Sequence, residues 1–374
     1  MVALREYETM TTGTRSAAIS DAVRRLGLGR AQPDSISELI GRNDNCLVSS
    51  DTAGEIFLKF FAGSPFDSSR RFERSLAFEK SVAATTHSLW RSPEFLGAVD
   101  EPRVAAYRRI PGAVSANSLM SDGTFHTTLA ERCGRAVAEV HSLTNTVHSL
   151  KNTECMDGFG PEQVIRRRLR ALTIPEYAES SGGELEVWAL LQHDRRFQES
   201  LDALADASEL APTTVCHGDL RLDQFLVSGD DLFIIDWEEM RLADPAIDIG
   251  SFAGEWLHRA AFLMFSDLEA DPTGTSAEAH ESLVSRGERE LDVVRPFIVA
   301  FWRGYREQRD DIDDNLAVRA TAYAGWHLFD RLLAGAMVRA QISHAERAIA
   351  GIGRSALISP GEFTEVIGLT GDRS

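Results

Sequence analysis

Cys216-His217-Gly218-Asp219-Leu220-Arg221-Leu222-Asp223-Gln224 and, shortly after it, Phe233-Ile234-Ile235-Asp236-Trp237 are the two pieces of sequence on which the reading of this chain turns. Between and within them run two strand-like pieces, 224–227 and 232–235. Gly229-Asp230-Asp231 separates the two as a hairpin turn. Two carboxylates, Asp219 and Asp236, are thereby held at the ends of β segments, one before the hairpin and one after it. A loop followed by a hairpin can bring such a pair to one site despite their separation in sequence.

Outward from this island the character changes. Most of the chain beyond residue 111 reads as helical; in 129–141, Leu129, Cys133, Ala136, Val137 and Val140 define a buried face. Toward the N-terminus, 16–27 reads as a short amphipathic helix, with Ala18, Ile19, Val23 and Leu26 on one side and Gly27 as a stop signal. Three β-prone runs follow, at 36–40, 46–48 and 56–61. They are separated by Gly41-Arg42-Asn43-Asp44-Asn45 and by Asp51-Thr52-Ala53-Gly54. Residues 68–86 return to a helical period, and Phe72, Leu76, Glu79 and Ala83 recur on one face, which puts a carboxylate inside an apolar stripe. A last strand, 104–110, is broken by Pro111-Gly112, the natural boundary between a strand-rich region 1–110 and a helical region 111–374. The expected class is α+β, without an internal repeat.

Composition narrows the partners. At 374 residues, 43% hydrophobic and 26% charged, the chain is long enough for two domains or two lobes, each with a core. Cys46, Cys133, Cys155 and Cys216 lack the spacing of a zinc site or a disulfide framework, so a reducing, cytoplasmic setting is expected. The N-terminus lacks the apolar core of a signal peptide, and no stretch approaches the length of a membrane span. A net charge of −18 argues against nucleic acid as a partner and favours cationic small molecules or basic peptide segments. Simple solubility accounts for the same acidity equally well.

Phosphoryl transfer needs one carboxylate near the attacking hydroxyl and another on the metal that bridges the β- and γ-phosphates. The two motifs resemble the aminoglycoside phosphotransferase and choline kinase-like families, whose loop H-G-D-x-x-x-x-N is followed by a hairpin ending in I-D-W or I-D-F. Asp244-Pro245-Ala246 with Asp248-Ile249-Gly250 resembles their D-P-x-x-D-L segment. The resemblance covers roughly 36–250. It implies a two-lobed, protein-kinase-like α+β fold with a small antiparallel-sheet N-lobe and a larger, mostly helical C-lobe. It also implies transfer of the γ-phosphoryl group of ATP with Mg2+.

Carried over by position, the resemblance makes Asp219 the catalytic base, His217 a residue that orders the loop and Asp236 the principal magnesium ligand. Gln224 stands where the families have a magnesium-binding Asn. Its carbonyl still offers an oxygen, on a side chain longer by about 1.5 Å. Lys59, in Ile56-Phe57-Leu58-Lys59-Phe60, matches the phosphate-binding lysine; Glu79 is its expected partner and Glu73 the fallback. Asn43 and Asn45 lie where these families lay a loop over the nucleotide phosphates, although an ordinary hairpin turn satisfies the same turn chemistry. Tyr107-Arg108-Arg109-Ile110 resembles the linker whose backbone groups, here those of Arg108 and Ile110, would pair with adenine. Asp244 and Asp248 read as braces of the following helix, and His141 reads as structural, against helix C-terminal carbonyls. The acidic run 310–314 reads as a solvated turn.

Three readings of the partner stay open. Arg221-Leu222-Asp223-Gln224 resembles the phosphotransferases of class V lanthipeptide and thioamitide biosynthesis, which implies a Ser or Thr of a precursor peptide as acceptor and a separate protein that eliminates the phosphate. The broader resemblance implies a hydroxyl-bearing small molecule, an aminoglycoside or another antibiotic. A pseudokinase that binds nucleotide or a partner is the third; Gln224 supports it, and the retention of Lys59, Asp219 and Asp236 opposes it.

Overall fold

Alternation builds the N-terminal sheet. Val104 and Ala106 lie on one face with Cys46, Val48, Ile56 and Leu58, and Ala105 and Tyr107 lie on the other. The structure, a computed structural model, describes residues 12–39, 43–143, 146, 150–151, 161–265 and 276–370. Strands β1 (Ser37–Leu39), β2 (Asp44–Ser50), β3 (Gly54–Phe60), β4 (Phe95–Val99) and β5 (Val104–Arg108) form an antiparallel sheet in the order β1-β2-β3-β5-β4. Helix α1 (Thr12–Arg25) covers the first face with Ile19, Ala22 and Val23. Helix α2 (Pro65–Ser81) covers the second with Phe72 and Leu76, beside Phe61. Each fully buried aliphatic side chain in such a core contributes about 1.5–3 kcal/mol.

Five further strands make two small sheets. Strand β6 (Val114–Ser115) pairs with β8 (Phe225–Ser228), which pairs in turn with β9 (Asp231–Ile234); β7 (Thr214–Cys216) pairs with β10 (Arg241–Ala243). The expected hairpin is present, with Ser228 opposite Asp231 and Gly229 at φ 57, the left-handed value its two-residue turn requires.

Two compact units result among the described residues. One holds the chain up to Ala116 and also Gln224–Met240; the other holds Asn117–Lys151, Asp157–Asp223 and Arg241 onward. The metal-motif hairpin, expected in the helical region beyond residue 110, thus belongs to the sheet-bearing unit. The reason is packing. Arg91 runs beside β9, its N–H donating to Leu232 O at 2.8 Å and its carbonyl accepting from Ile234 N at 3.0 Å. Trp237 stacks on Phe78 of α2 with centroids 4.4 Å apart, and Trp90 lies 5.4 Å away.

The second unit is mainly helical: α3 (Ala116–Ser121), α4 (Thr127–His141), α5 (Pro161–Arg170), α6 (Ile174–Glu179), α7 (Gly182–His193), α8 (Arg195–Glu209), α9 (Ala246–Phe265), α10 (Ser276–Gln308), α11 (Leu316–Ala336), α12 (His344–Ile358) and α13 (Pro360–Ile367). Phe252 of α9 stacks on Phe301 of α10 at 3.9 Å. Gly250 lets α9 approach α11, since a Cβ there would meet Tyr323 Cβ at 2.4 Å and Ala320 O at 2.6 Å. Among the described residues no helix is long and apolar enough to cross a membrane.

Several expectations need correction. The helix expected at 68–86 starts earlier, because Ser64 caps it by accepting from Asp67 N at 3.2 Å and Pro65 occupies its first turn; it ends at Ser81. Strand β4, unmarked in the sequence reading, carries a glycine and a register shift between Phe95 and Gly97 that hide its alternation. Residue 40, the end of the strand expected at 36–40, and residues 41–42, part of the proposed phosphate loop, lie outside the described residues. In the acidic run, Asp311 accepts from Arg309 at 2.6 Å and Asp313 from Arg319 at 2.8 Å, so these carboxylates clamp arginines.

Candidate active site

In the helical unit, β7 delivers the His217-Gly218-Asp219 loop. Leu220 and Leu222 are fully buried and pin its far side, while the Asp219 side chain remains 40% exposed. Asp248, in the first turn of α9, holds the loop's backbone: its carboxylate accepts from His217 N at 2.7 Å and from Gly218 N at 2.9 Å. It also pairs with His141 Nε2 at 3.0 Å. Burial alone would push the Asp248 carboxyl up, but the bonds from His141 and the Gly218 amide, with the nearby His217, hold it below its ordinary value. His217 is buried, and its Nδ1 accepts the Asp219 N–H at 3.3 Å. Arg221 Nε lies 3.3 Å from Asp219 Oδ1, and its Nη2 lies 3.5 Å from Asp223 Oδ2.

Asp248 therefore does more than the sequence suggested. It fixes the loop, whereas Asp244 is the residue that caps α9, accepting from Ala246 N at 3.0 Å and from Arg319 Nε at 2.7 Å. His141 is buried and structural, but its partners are Asp248 and the Tyr305 hydroxyl, 2.9 Å away, and not helix carbonyls. His141, Cys216 and Asp248 bring ligand atoms within 4.8 Å of one another. Those of His141 and Asp248 are already spent on the bonds just described, and burial pushes the Cys216 thiol well above its ordinary value, away from the thiolate a metal would need.

In the N-terminal unit, strand alternation turns Lys59 to the α2 side of the sheet, opposite Ala105. Lys59 does not pair with Glu79. Its ammonium pairs with Asp236 and, at 2.8 Å, with Glu238 Oε2. Burial would lower the Lys59 pKa, but Asp236 and Glu238 outweigh it and raise it. Glu79 is half-buried as its stripe position implied; it meets the Tyr107 hydroxyl instead, and burial pushes its carboxyl up to about 7. Glu73, the fallback, is exposed and accepts from Ser69 Oγ at 3.0 Å.

Asp236 follows β9 in a left-handed backbone, φ 69 and ψ 54, the only non-glycine residue so placed among the described residues. This turns the chain so that Trp237 enters the Phe78 stack while the Asp236 carboxylate stays 31% exposed. Gln224 is buried, and its backbone carbonyl accepts from Ile235 N at 3.0 Å, tying both motif ends of the hairpin together. A carboxylate and an amide carbonyl are the hard oxygen donors that Mg2+ takes, and the Asp236 carboxylate already pairs with the Lys59 ammonium. The residues fit such an ion.

The remaining expected nucleotide contacts divide. Asn43 is buried, donating to Glu238 Oε2 at 2.6 Å and accepting from Arg71 Nη1 at 2.5 Å, so its side chain is committed within the protein. Asn45, on β2 opposite Lys59, has a buried Oδ1 without a partner among the described residues. The Arg108 N–H is spent on Glu94 O at 2.9 Å and its side chain on Glu94 and Ala53 O, which removes its amide as an adenine donor; Ile110 follows, half-buried. Glu238 and Arg71 escaped the sequence reading altogether. A hint was present in Trp237-Glu238-Glu239, acidic residues directly behind an apolar strand, facing a helix with Arg71 and Arg74 one turn apart.

Residues 39–280 match the profile of the phosphotransferase enzyme family, and the chain belongs to that family. Among solved structures it is similar to amicoumacin kinase hAmiN in complex with AMP-PNP, Ca2+ and Ami, 13% identical over 90% of this chain and 92% of that one, with a TM-score of 0.50. It is also similar to macrolide 2'-phosphotransferase MphH from Brachybacterium faecium, at 16% identity, 91% and 97% coverage and a TM-score of 0.46. A third is choline kinase LicA from Streptococcus pneumoniae, at 17% identity, 84% and 97% coverage and a TM-score of 0.42. No curated protein sequence matches. The α+β arrangement of an antiparallel N-terminal sheet and a mostly helical C-terminal part is that of the kinase-like fold, and the protein is a phosphotransferase.

Proposed function

We propose that the protein is an ATP-dependent O-phosphotransferase in which Asp219 positions and deprotonates an acceptor hydroxyl. The observation that carries this reading is the half-exposed Asp219 carboxylate, presented by a loop whose neighbours are buried and clamped by Asp248. A carboxylate so placed can take the proton as the hydroxyl oxygen attacks the γ-phosphorus, and no phosphoenzyme is required. His217 and Asp248 keep the loop in one geometry. Lys59 offers a positive charge to the nucleotide phosphates, and Asp236 with Gln224 would hold Mg2+. Bound there, magnesium supplies neutralisation of the charge on the β- and γ-phosphates. AMP-PNP and Ca2+ in the amicoumacin kinase complex support nucleotide and divalent-metal use here.

For the acceptor, the Arg221-Leu222-Asp223-Gln224 loop supports Ser or Thr of a ribosomally made precursor peptide, with a separate partner protein eliminating the phosphate. A hydroxyl-bearing small molecule is the second reading, and the fold shared with amicoumacin kinase favours it. Mass spectrometry after incubation with Mg·ATP, offering Ser/Thr-rich precursor peptides and an aminoglycoside and macrolide panel in parallel, separates them. Phosphate on a peptide establishes the first, and phosphate on a small molecule alone the second. Asp219→Asn should slow the transfer by about 10²–10⁴-fold. Full turnover in that variant, with chemistry limiting the rate, would remove Asp219 as the base. A protein that binds nucleotide yet transfers phosphate to nothing offered would point to the pseudokinase.

A further inference from the structure

We propose that Glu238 is the positioning residue for Lys59, taking the part that the sequence reading gave to Glu79, and that Arg71 and Asn43 hold Glu238 in place. The inference rests on the phosphotransferase reading and deepens it. Glu238 Oε2 lies 2.8 Å from Lys59 Nζ, accepts from Asn43 Nδ2 at 2.6 Å and lies 3.3 Å from Arg71 Nη1. Arg71 also donates to Asn43 Oδ1 at 2.5 Å and to the Ala62 carbonyl, which closes the group. Lys59, Glu238, Asn43 and Arg71 are 6%, 5%, 5% and 1% exposed, so these bonds form away from water, where charge-assisted contacts count most.

The charges explain the arrangement. Lys59 and Arg71 are two buried cations; Asp236 and Glu238 face them from the turn after β9, and Asp67 of α2 pairs with Arg71 at 3.2 Å. Asp236 is the candidate metal ligand, so its charge is shared with another role. Glu238 has no such second duty; it is buried, and the same Oε2 that meets Lys59 also accepts from Asn43 and lies beside Arg71. Helix α2 reaches this turn through basic residues, Arg71 to Glu238 and, at 3.0 Å, Arg74 Nη1 to Glu239 Oε2, so the polarity expected from an acidic partner on that helix is reversed. Glu79 lies on the same helix but is engaged by Tyr107, and its carboxyl, near half-protonated at neutral pH, is a poor counter-ion.

The test compares Glu238→Gln, Glu238→Asp and Glu79→Gln with the wild-type protein in two measurements. One is the pH at which an amine-acylating reagent labels Lys59, followed by peptide mass spectrometry; the other is the affinity for Mg·ATP by titration calorimetry. Glu238→Gln should let Lys59 label at lower pH and should weaken Mg·ATP binding about 10-fold or more, the scale of one lost buried charge-assisted bond. Glu238→Asp should restore part of both, and both effects should exceed those of Glu79→Gln at least about fivefold. Equal or larger effects from Glu79→Gln would overturn the assignment. If Glu238→Gln fails to fold by circular dichroism, the order of Glu238→Asp and Glu79→Gln decides in the same way. Wild-type protein that binds no Mg·ATP would overturn the phosphotransferase reading itself, a result independent of the order of the variants, and with it the purpose given to Glu238.

Discussion

Glu79 spends neutral pH close to its midpoint, because burial raises its carboxyl to about 7 and the Tyr107 hydroxyl only partly offsets that. The folded state therefore holds a proton that the unfolded chain, with an ordinary carboxyl at 4.5, releases earlier. Between these values the native state binds more protons, so stability falls as pH rises and levels off above about 7. Denaturant unfolding from pH 5 to 8 should show this decline in the wild type and a flatter profile in Glu79→Gln. A parallel decline in both would assign it to other groups. The contrast with Glu238 shows what a single residue's neighbourhood can and cannot reveal in sequence. Asp219, Gln224 and Asp236 could be located because each sits in a local motif, and the structure puts them at a loop tip, before a strand and after one. Glu238 and Arg71 meet only because the turn after β9 packs on α2, a contact between residues 167 positions apart. No local period carries that information.

At the scale of elements, the start of α9 and the loop after β7 form one unit, joined by two backbone N–H bonds to Asp248. Asp248→Asn replaces one acceptor oxygen by a donor and leaves a buried N–H or His141 without its partner, which should cost about 1–3 kcal/mol by denaturant unfolding. Turnover should fall as well, since the loop that carries Asp219 loses an anchor; a variant with full activity would show that the loop holds its shape without it. Elements with a strong period, such as α1, β3 and α4, were legible to within a few residues. β4 was not, since its glycine and register shift break the alternation, and the start of α2 was set by the Ser64 cap and Pro65 and not by its apolar stripe.

For the molecule as a whole, the charge of −18 gives a test of the acceptor's sign. If the acceptor is a polycation, its KM should rise steeply as salt goes from 0.05 to about 0.5 M, while an uncharged acceptor should show little change; initial rates against salt at saturating ATP distinguish the two. The division of the chain was the least legible property, because Pro111-Gly112 marks the end of β5 without revealing that Gln224–Met240 returns to the sheet-bearing unit. That return sets an order of events during synthesis. Phe78 and Trp90 leave the ribosome long before Trp237, the ring that covers them. At ordinary elongation rates the delay is on the order of 10 s. For that interval the nascent sheet carries an uncovered aromatic face and an unpaired Lys59, so a fragment stopping at Ala116 should be a client of chaperones and not a free-standing domain.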